Sequence, residues 1–172
     1  MTQHIFLTGK KHIGKSTLIQ KILDDYKKTA DGFLTVRTKD YLKNQYSVHM
    51  YHLKEKEFPN ESNLLFLCGK TDEHTADTFD RLGCNILSMC SDCSLIVMDE
   101  LGPHEADAAL FRKKILNLLD GQPPILGVLQ EPAESFWPKI VNHPKVEIIT
   151  ISEDNRNDRA LLNYIQCKIS SP

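Results

Sequence analysis

Arginine is scarce in this chain. Only Arg37, Arg81, Arg112, Arg156 and Arg159 stand among its 21 basic residues. The planar guanidinium is the usual bidentate partner of phosphate, so chemistry that needs several arginine clamps has few residues to draw on. Long apolar runs are missing too. None approaches the ~20 residues that cross a bilayer, so no membrane association is expected. Charge of one sign is also lacking: 21 Lys plus Arg against 23 Asp plus Glu leave a net of −2. That balance gives no general electrostatic reason to bind nucleic acid. The cysteines, Cys68, Cys84, Cys90, Cys93 and Cys167, are five in number. An odd count with no secretory segment argues against a disulfide framework. Cys90 and Cys93 form a single C-x-x-C. A zinc ribbon needs a second pair, and this pair ends a helical pattern rather than opening one, so reduced thiols are expected. Met1 to Leu7 lacks a cationic flank, a long apolar core and a small-residue cleavage site. A cytoplasmic protein is therefore expected.

The remainder is ordinary globular material. In 172 residues, 41% are hydrophobic and 26% charged, enough to bury a core within one domain over 1–172. His4–Thr8 (HIFLT) reads as a short buried strand. Ser16–Lys28 carries Leu18, Ile19, Ile22, Leu23 and Tyr26 at the spacing of one helical face. Phe33–Arg37 and Tyr46–Leu53 read as a hairpin turning near Lys43 and Asn44. In its second strand Tyr46, Val48 and Met50 share one face, and Tyr51 and Leu53 the other. Leu64–Cys68 is a further apolar run, and Thr75–Cys90 reads as a helix. Ser94–Met98 (SLIVM) is apolar throughout, as in a parallel strand covered on both faces. Ala106–Leu119 is helical, with Leu110, Phe111, Ile115, Leu118 and Leu119 at helical spacing. Ile125–Leu129 and Val146–Ile151 read as strands, Ala133–Val141 as a helix shortened or kinked at Pro138, and Asp158–Ile169 as a last helix. Alternating strands and helices define an α/β class: a three-layer α/β/α sandwich, its sheet mainly parallel with an antiparallel hairpin added.

One motif carries chemistry. Gly9–Ser16 reads GKKHIGKS, matching G-x-x-x-x-G-K-[ST] between a strand and a helix. Gly9 and Gly14 permit the backbone angles that turn successive N–H groups inward on phosphate oxygens. The helix N-terminus that follows favours anions. Lys15 supplies a cation for the β- and γ-phosphates, Ser16 a hydroxyl ligand for Mg²⁺, and Thr17 a contact for the α-phosphate. Lys10, Lys11, His12 and Ile13 form the loop interior, with the two lysines adding positive potential. Gly69–Thr71 is a GKT string with no glycine five positions before its own, and reads as a surface turn.

A phosphate loop needs acidic partners. Ser94–Glu100 (SLIVMDE) ends in Asp99, suited to Mg²⁺ directly or through water, and Glu100, suited to orient or deprotonate water. Both are expected at the sheet edge beside the phosphate loop. A further cation suits the charge that develops on the γ-phosphate. Arg37 and Arg156, at strand ends, are the candidates, while Arg81 and Arg112 fall on helices and are expected in solvent. His49 and His52 point to opposite faces of a strand and do not share a metal. His104 is expected to be exposed, and Trp137 to pack.

Together these strings resemble the THEP1-type nucleoside triphosphatases over roughly residues 4 to 166. The resemblance rests on FLTGKKHIGKSTLIQKI, GFLTVR (32–37), TFDRLGCNIL (78–87), LIVMDELG (95–102), PILGVLQE (124–131) and TISEDNRND (150–158). It implies a P-loop NTPase with a nucleotide-kinase-like fold. It also implies Mg²⁺-dependent hydrolysis of nucleoside triphosphates, ATP and GTP among them, to the diphosphate and phosphate. On this matching Gly9–Thr17 is the phosphate loop, Asp99 and Glu100 the magnesium and water-activating acids, and Asn155 and Arg156 lie near the base. Where the family has Gly-Lys-Met-Glu after the acids, this chain has Gly102-Pro103-His104-Glu105, so the lysine is lost and the glutamate kept. Two other readings stay open. One is a nucleoside or nucleotide kinase, against which the lack of an arginine-bearing lid counts. The other is a nucleotide-dependent switch acting through an unidentified protein partner.

Overall fold

The computed structural model describes residues 3–170. The first and last two residues, which close the expected 1–172 domain and open the Met1–Leu7 segment, lie outside the described residues. The strands are β1 (His4–Thr8), β2 (Ala30–Leu42), β3 (Gln45–His52), β4 (Leu64–Leu67), β5 (Leu95–Leu101), β6 (Ile125–Leu129) and β7 (Val146–Thr150). The helices are α1 (Lys15–Asp25), α2 (His74–Ser88), α3 (Ala109–Leu119), α4 (Ala133–Phe136), α5 (Pro138–Val141) and α6 (Arg159–Ser170). The strands form one sheet in the order β4-β3-β2-β5-β6-β1-β7. It is parallel from β2 to β7 and antiparallel where β3 and β4 extend it.

Alternation along the central strands builds two cores. Phe6, Ile96 and Met98 face one layer with Phe111 and Ile115 of α3 and Phe79 of α2. Ile5, Leu7, Leu95 and Val97 face the other with Leu18, Ile19 and Ile22 of α1 and Ile165 of α6. The period-two side-chain direction of a strand requires this split. It explains why β5 and β6 read as unbroken apolar runs. Two glycines are set by close packing. A Cβ on Gly83 of α2 would lie 2.3 Å from the Phe111 ring, and one on Gly127 of β6 would lie 2.3 Å from the Phe6 ring.

Several expectations are corrected. The first hairpin strand runs longer than expected, to the Lys43–Asn44 turn, where Asn44 adopts φ 64°, and the second is shifted back by one residue. Leu64–Leu67 pairs with β3, so β4 adds a further antiparallel strand to the β2–β3 hairpin. Both faces of β3 are covered. Ser47, His49 and Tyr51 are buried on the face opposite Val48 and Met50, while Tyr46 is left 37% exposed. His49 is held by Asn63 and Ser47 at 2.7 and 2.9 Å, apart from His52, which pairs with Asp31. Leu110 is 64% exposed. One helical step of about 100° separates it from Phe111, and only Phe111, Ile115 and Leu119 form the buried stripe. The expected break at Pro138 is there: α4 ends and α5 begins on either side of Trp137. Cys90 and Cys93 flank a 3₁₀ turn after α2, unbridged, and burial pushes both thiol pKa values up, Cys90 to about 12. No helix among the described residues is long and apolar enough to cross a membrane.

Candidate active site

Residues 9–14 link β1 to α1 in the strand–loop–helix setting that the motif requires. Gly9 has φ 137°, and a Cβ there would lie 2.4 Å from the Ile151 carbonyl oxygen. Gly14 has φ 111° and caps α1, and His12 between them has φ 64°. Ile13 turns away from the loop into the core, 8% exposed, and its N–H is bonded to the Lys10 carbonyl at 3.2 Å. Lys11 and His12 line the cleft in front of the loop. Lys15 is buried at 7% exposure and donates to the carbonyls of Gly9 (2.7 Å) and Lys10 (2.9 Å). Burial lowers its pKa, while Glu100, Glu131 and Asp99 pull it back up. Ser16 and Thr17 follow at the start of α1 and also line the cleft.

The acids come from β5. Between it and β1 stands β6, so the phosphate loop and the acids are two strands apart rather than on neighbouring strands. Asp99 is 6% exposed and lines the cleft with Ser16. Burial drives its pKa up to about 6; the Ser16 hydroxyl and Lys15 oppose this, and Glu100 reinforces it. Glu100 is held at both ends. Its N–H donates to Thr35 Oγ1 at 3.1 Å, and Gln130 Nε2 donates to its carboxylate at 2.5 Å. Thr35 in turn donates to the Asp99 carbonyl at 3.3 Å.

Behind the acids lies a buried clamp. Gly102 N–H donates to Glu105 Oε2 at 3.0 Å, and its carbonyl accepts from Trp137 Nε1 at 3.1 Å. A Cβ on Gly102 would lie 2.6 Å from Gln130 Oε1, so this glycine leaves room for the side chain that holds Glu100. Glu105 is 4% exposed, and burial pushes its pKa up to about 7. Arg112 is not solvated. Its guanidinium lies 3.9 Å over the Trp137 ring, Nη2 donates to the Phe136 carbonyl at 3.0 Å, and Nη1 is buried with no partner.

The other candidates divide. Arg37 lines the cleft from β2, exposed, with its guanidinium 3.9 Å over the Tyr46 ring. Arg156 stands outside the cleft wall, with Nη1 3.5 Å from the Ile13 carbonyl. The Asn155 side chain is occupied within its own loop, accepting from Ser152 N–H (2.8 Å) and donating to the Thr150 carbonyl (2.9 Å). His104 is exposed, as expected, but its ring sits 4.3 Å from that of Phe66 at the cleft wall. Sequence reasoning missed Thr35, Gln130 and Glu131. The last two directly follow the apolar run of β6, and the strand-end rule that found Asp99 and Glu100 applies to them equally.

Loop, lysine, hydroxyl and acids meet at one cleft of about 740 Å³, on the strand-edge side expected of open α/β sheets. These features define a P-loop NTPase. The NTPase family model matches residues 4–165. Nucleoside-triphosphatase THEP1 of Thermotoga maritima is 27% identical over 170 residues, covering 94% of this chain and 92% of its own length. THEP1 of Methanosarcina acetivorans is 30% identical over 83 residues, covering 48% of this chain and 46% of its own length. Among solved structures, THEP1 from Aquifex aeolicus superposes with a TM-score of 0.74 at 20% identity, covering 98% of this chain and 100% of its own. A human cancer-related nucleoside triphosphatase gives 0.65 at 24% identity, covering 99% and 100%. The chain belongs to the THEP1-type nucleoside triphosphatase family.

Proposed function

We propose that the chain, acting as one domain over 1–172, hydrolyses nucleoside 5′-triphosphates, ATP and GTP among them, to the diphosphate and phosphate with Mg²⁺. The observation that carries this reading is the placement of Lys15 and Ser16 against Asp99 and Glu100 in one cleft. The donor set suits the metal. Ser16 and Asp99 offer two hard oxygens to one cleft. Among the described residues no group of three His, Cys, Asp or Glu forms a cage. Magnesium bound by one or two protein oxygens, with phosphates and water completing its shell, needs no cage. When bound, it neutralises charge on the β- and γ-oxygens.

The backbone N–H groups of the loop and the Lys15 ammonium hold the phosphates, with Lys10, Lys11 and His12 adding positive potential and Thr17 meeting the α-phosphate. The γ-phosphate then lies toward β5. Glu100, fixed by Gln130 and Thr35, orients a water and accepts its proton as the water oxygen bonds to the γ-phosphorus. The bond from that phosphorus to the bridging oxygen breaks, and the diphosphate leaves. Arg37, which lines the cleft, supplies a second cation. Asn155 and Arg156 flank the loop on the base side. Phosphate release from ATP and GTP with Mg²⁺ tests this reading. Glu100→Gln should bind nucleotide normally and turn over ~10²-fold more slowly or worse, the size expected for loss of a general base. A normal rate in that variant removes Glu100 from the role.

A further inference from the structure

The cleft is longer than a triphosphate requires. Its polar end, at β1, β6 and β5, carries the phosphate loop, Lys15, Ser16, Thr17, Asp99 and Glu100. Its other end continues past Glu100 onto the antiparallel part of the sheet. There Arg37 pairs with Val48, and Val48 pairs with Phe66, so these three lie in one row across β2, β3 and β4. All three line the cleft, together with Leu65, Phe79 and His104. Three strand steps of about 4.8 Å put β4 roughly 14 Å beyond β5. With the α-phosphate at Thr17 and the γ-phosphate at Glu100, the nucleotide's own base points the opposite way. The apolar end is therefore left to something else. Hydrolysis has no use for it, because water needs only the position beside Glu100.

The chemistry of this end selects its occupant. Phe66, half-buried, and the exposed His104 ring 4.3 Å from it offer flat surface that suits a planar ring, with Phe79 packed behind them in the core. Arg37, Glu100 and the Thr35 hydroxyl stand at the junction with the phosphate end, where a polar substituent of that ring would lie. A cleft of about 740 Å³ is within the ~300–1,000 Å³ range of small-molecule sites. We propose that this apolar end is an acceptor subsite for a nucleoside-sized molecule bearing a flat ring and a primary hydroxyl, to which the γ-phosphoryl group is transferred. The proposal rests on the phosphate placement given above and adds a second nucleophile to it. The acceptor oxygen forms the new bond to the γ-phosphorus, and the bond from that phosphorus to the bridging oxygen breaks. The diphosphate leaves with the bonding pair, and the hydroxyl proton passes to Glu100 and then to solvent. Nothing is oxidised or reduced. Water and alcohol compete for one position, and an empty subsite gives hydrolysis.

Two measurements on the full chain test this. Saturation-transfer NMR with adenosine, thymidine or 2-phenylethanol, with excess GDP filling the nucleotide's own place and no metal present, reads the subsite. Incubation of the same probes with GTP and Mg²⁺, followed by mass spectrometry, reads the monophosphate ester. The expected result is saturation of the probe's ring protons and ester formed alongside free phosphate. Val48→Phe, which narrows the floor, should reduce both by ~10-fold or more, the scale of discrimination by a few carbon atoms in an apolar pocket. GTP hydrolysis without probe should be retained in that variant. Phe66→Leu is the second variant, in case Val48→Phe fails to fold. No saturation with any probe overturns the subsite, whatever the hydrolysis rate. Saturation without ester, in protein that hydrolyses GTP, overturns the acceptor role. Protein that saturates the probes but does not hydrolyse GTP indicts the hydrolase reading and leaves the subsite supported.

Discussion

Replacing Glu105 by glutamine should make the protein less sensitive to rising pH. The carboxyl is 4% exposed and is lifted from an ordinary 4.5 to about 7, chiefly by burial. Glu100, from the end of β5, pushes in the same direction, and Arg112, from α3, opposes it. A raised carboxyl pKa means the folded state holds the proton more tightly than the unfolded chain. The resulting stability is fully present below pH 4.5 and is lost as pH rises through about 7. Each pH unit between those values corresponds to about 1.4 kcal/mol, so the loss is roughly 3 kcal/mol. Glutamine keeps the volume and an oxygen for the Gly102 N–H, but it cannot ionise. Urea unfolding of both proteins at intervals from pH 4.5 to 8.5 is the assay, because other titrating groups cancel in the difference. The variant's stability relative to the parent should climb by about 3 kcal/mol across that range. A flat difference would refute the reasoning. It would mean that Arg112, with its unpartnered buried Nη1, already neutralises an ionised Glu105.

Lys15→Ala should abolish phosphate release and weaken nucleotide binding in calorimetry, since the buried ammonium is the cation tied to the loop. Gly9→Ala should weaken binding as well, because its Cβ would lie 2.4 Å from the Ile151 carbonyl at a φ of 137°; unchanged affinity would show that the loop yields easily. Gly83→Ala should lower stability by ~1–3 kcal/mol in denaturant titration without touching turnover, since it drives a methyl into the Phe111 ring.

The phosphate loop and the two acids were legible because each lies in one contiguous string whose spacing has a single use. The parallel strands were legible because burial on both faces leaves unbroken apolar runs. What escaped was assembled across the chain. The clamp on Gly102 joins Glu105, Trp137 and Arg112, and neither the packing of Trp137 nor the helix position of Arg112 suggests that the two side chains meet. Gln130 is an unremarkable residue until the sheet order sets β6 between the loop and the acids. Leu110 shares the helical spacing of the apolar residues over 106–119, yet one helical step of about 100° takes it out of the stripe of Phe111 and Ile115. The burial of Ser47 and His49 escaped for the converse reason. Polar residues read as solvent-facing until Asn63, from a distant turn, supplies the hydrogen bond.

The cysteines, read first for what they exclude, also make the cleft observable. Only a thiolate reacts with alkylating dyes. At pH 8 a thiol with a pKa of about 12 is ionised in roughly one molecule in ten thousand, so Cys90 is silent. Burial pushes Cys84 and Cys93 the same way. Cys68, half-buried, sits in the wall of the cleft beside Gly69. A fluorophore attached there would sense occupancy at the apolar end, and the rate of its attachment would fall whenever that end is filled. Once the exposed Cys167 is replaced by serine, Cys68 serves as the labelling position at the part of the cleft whose occupant matters most.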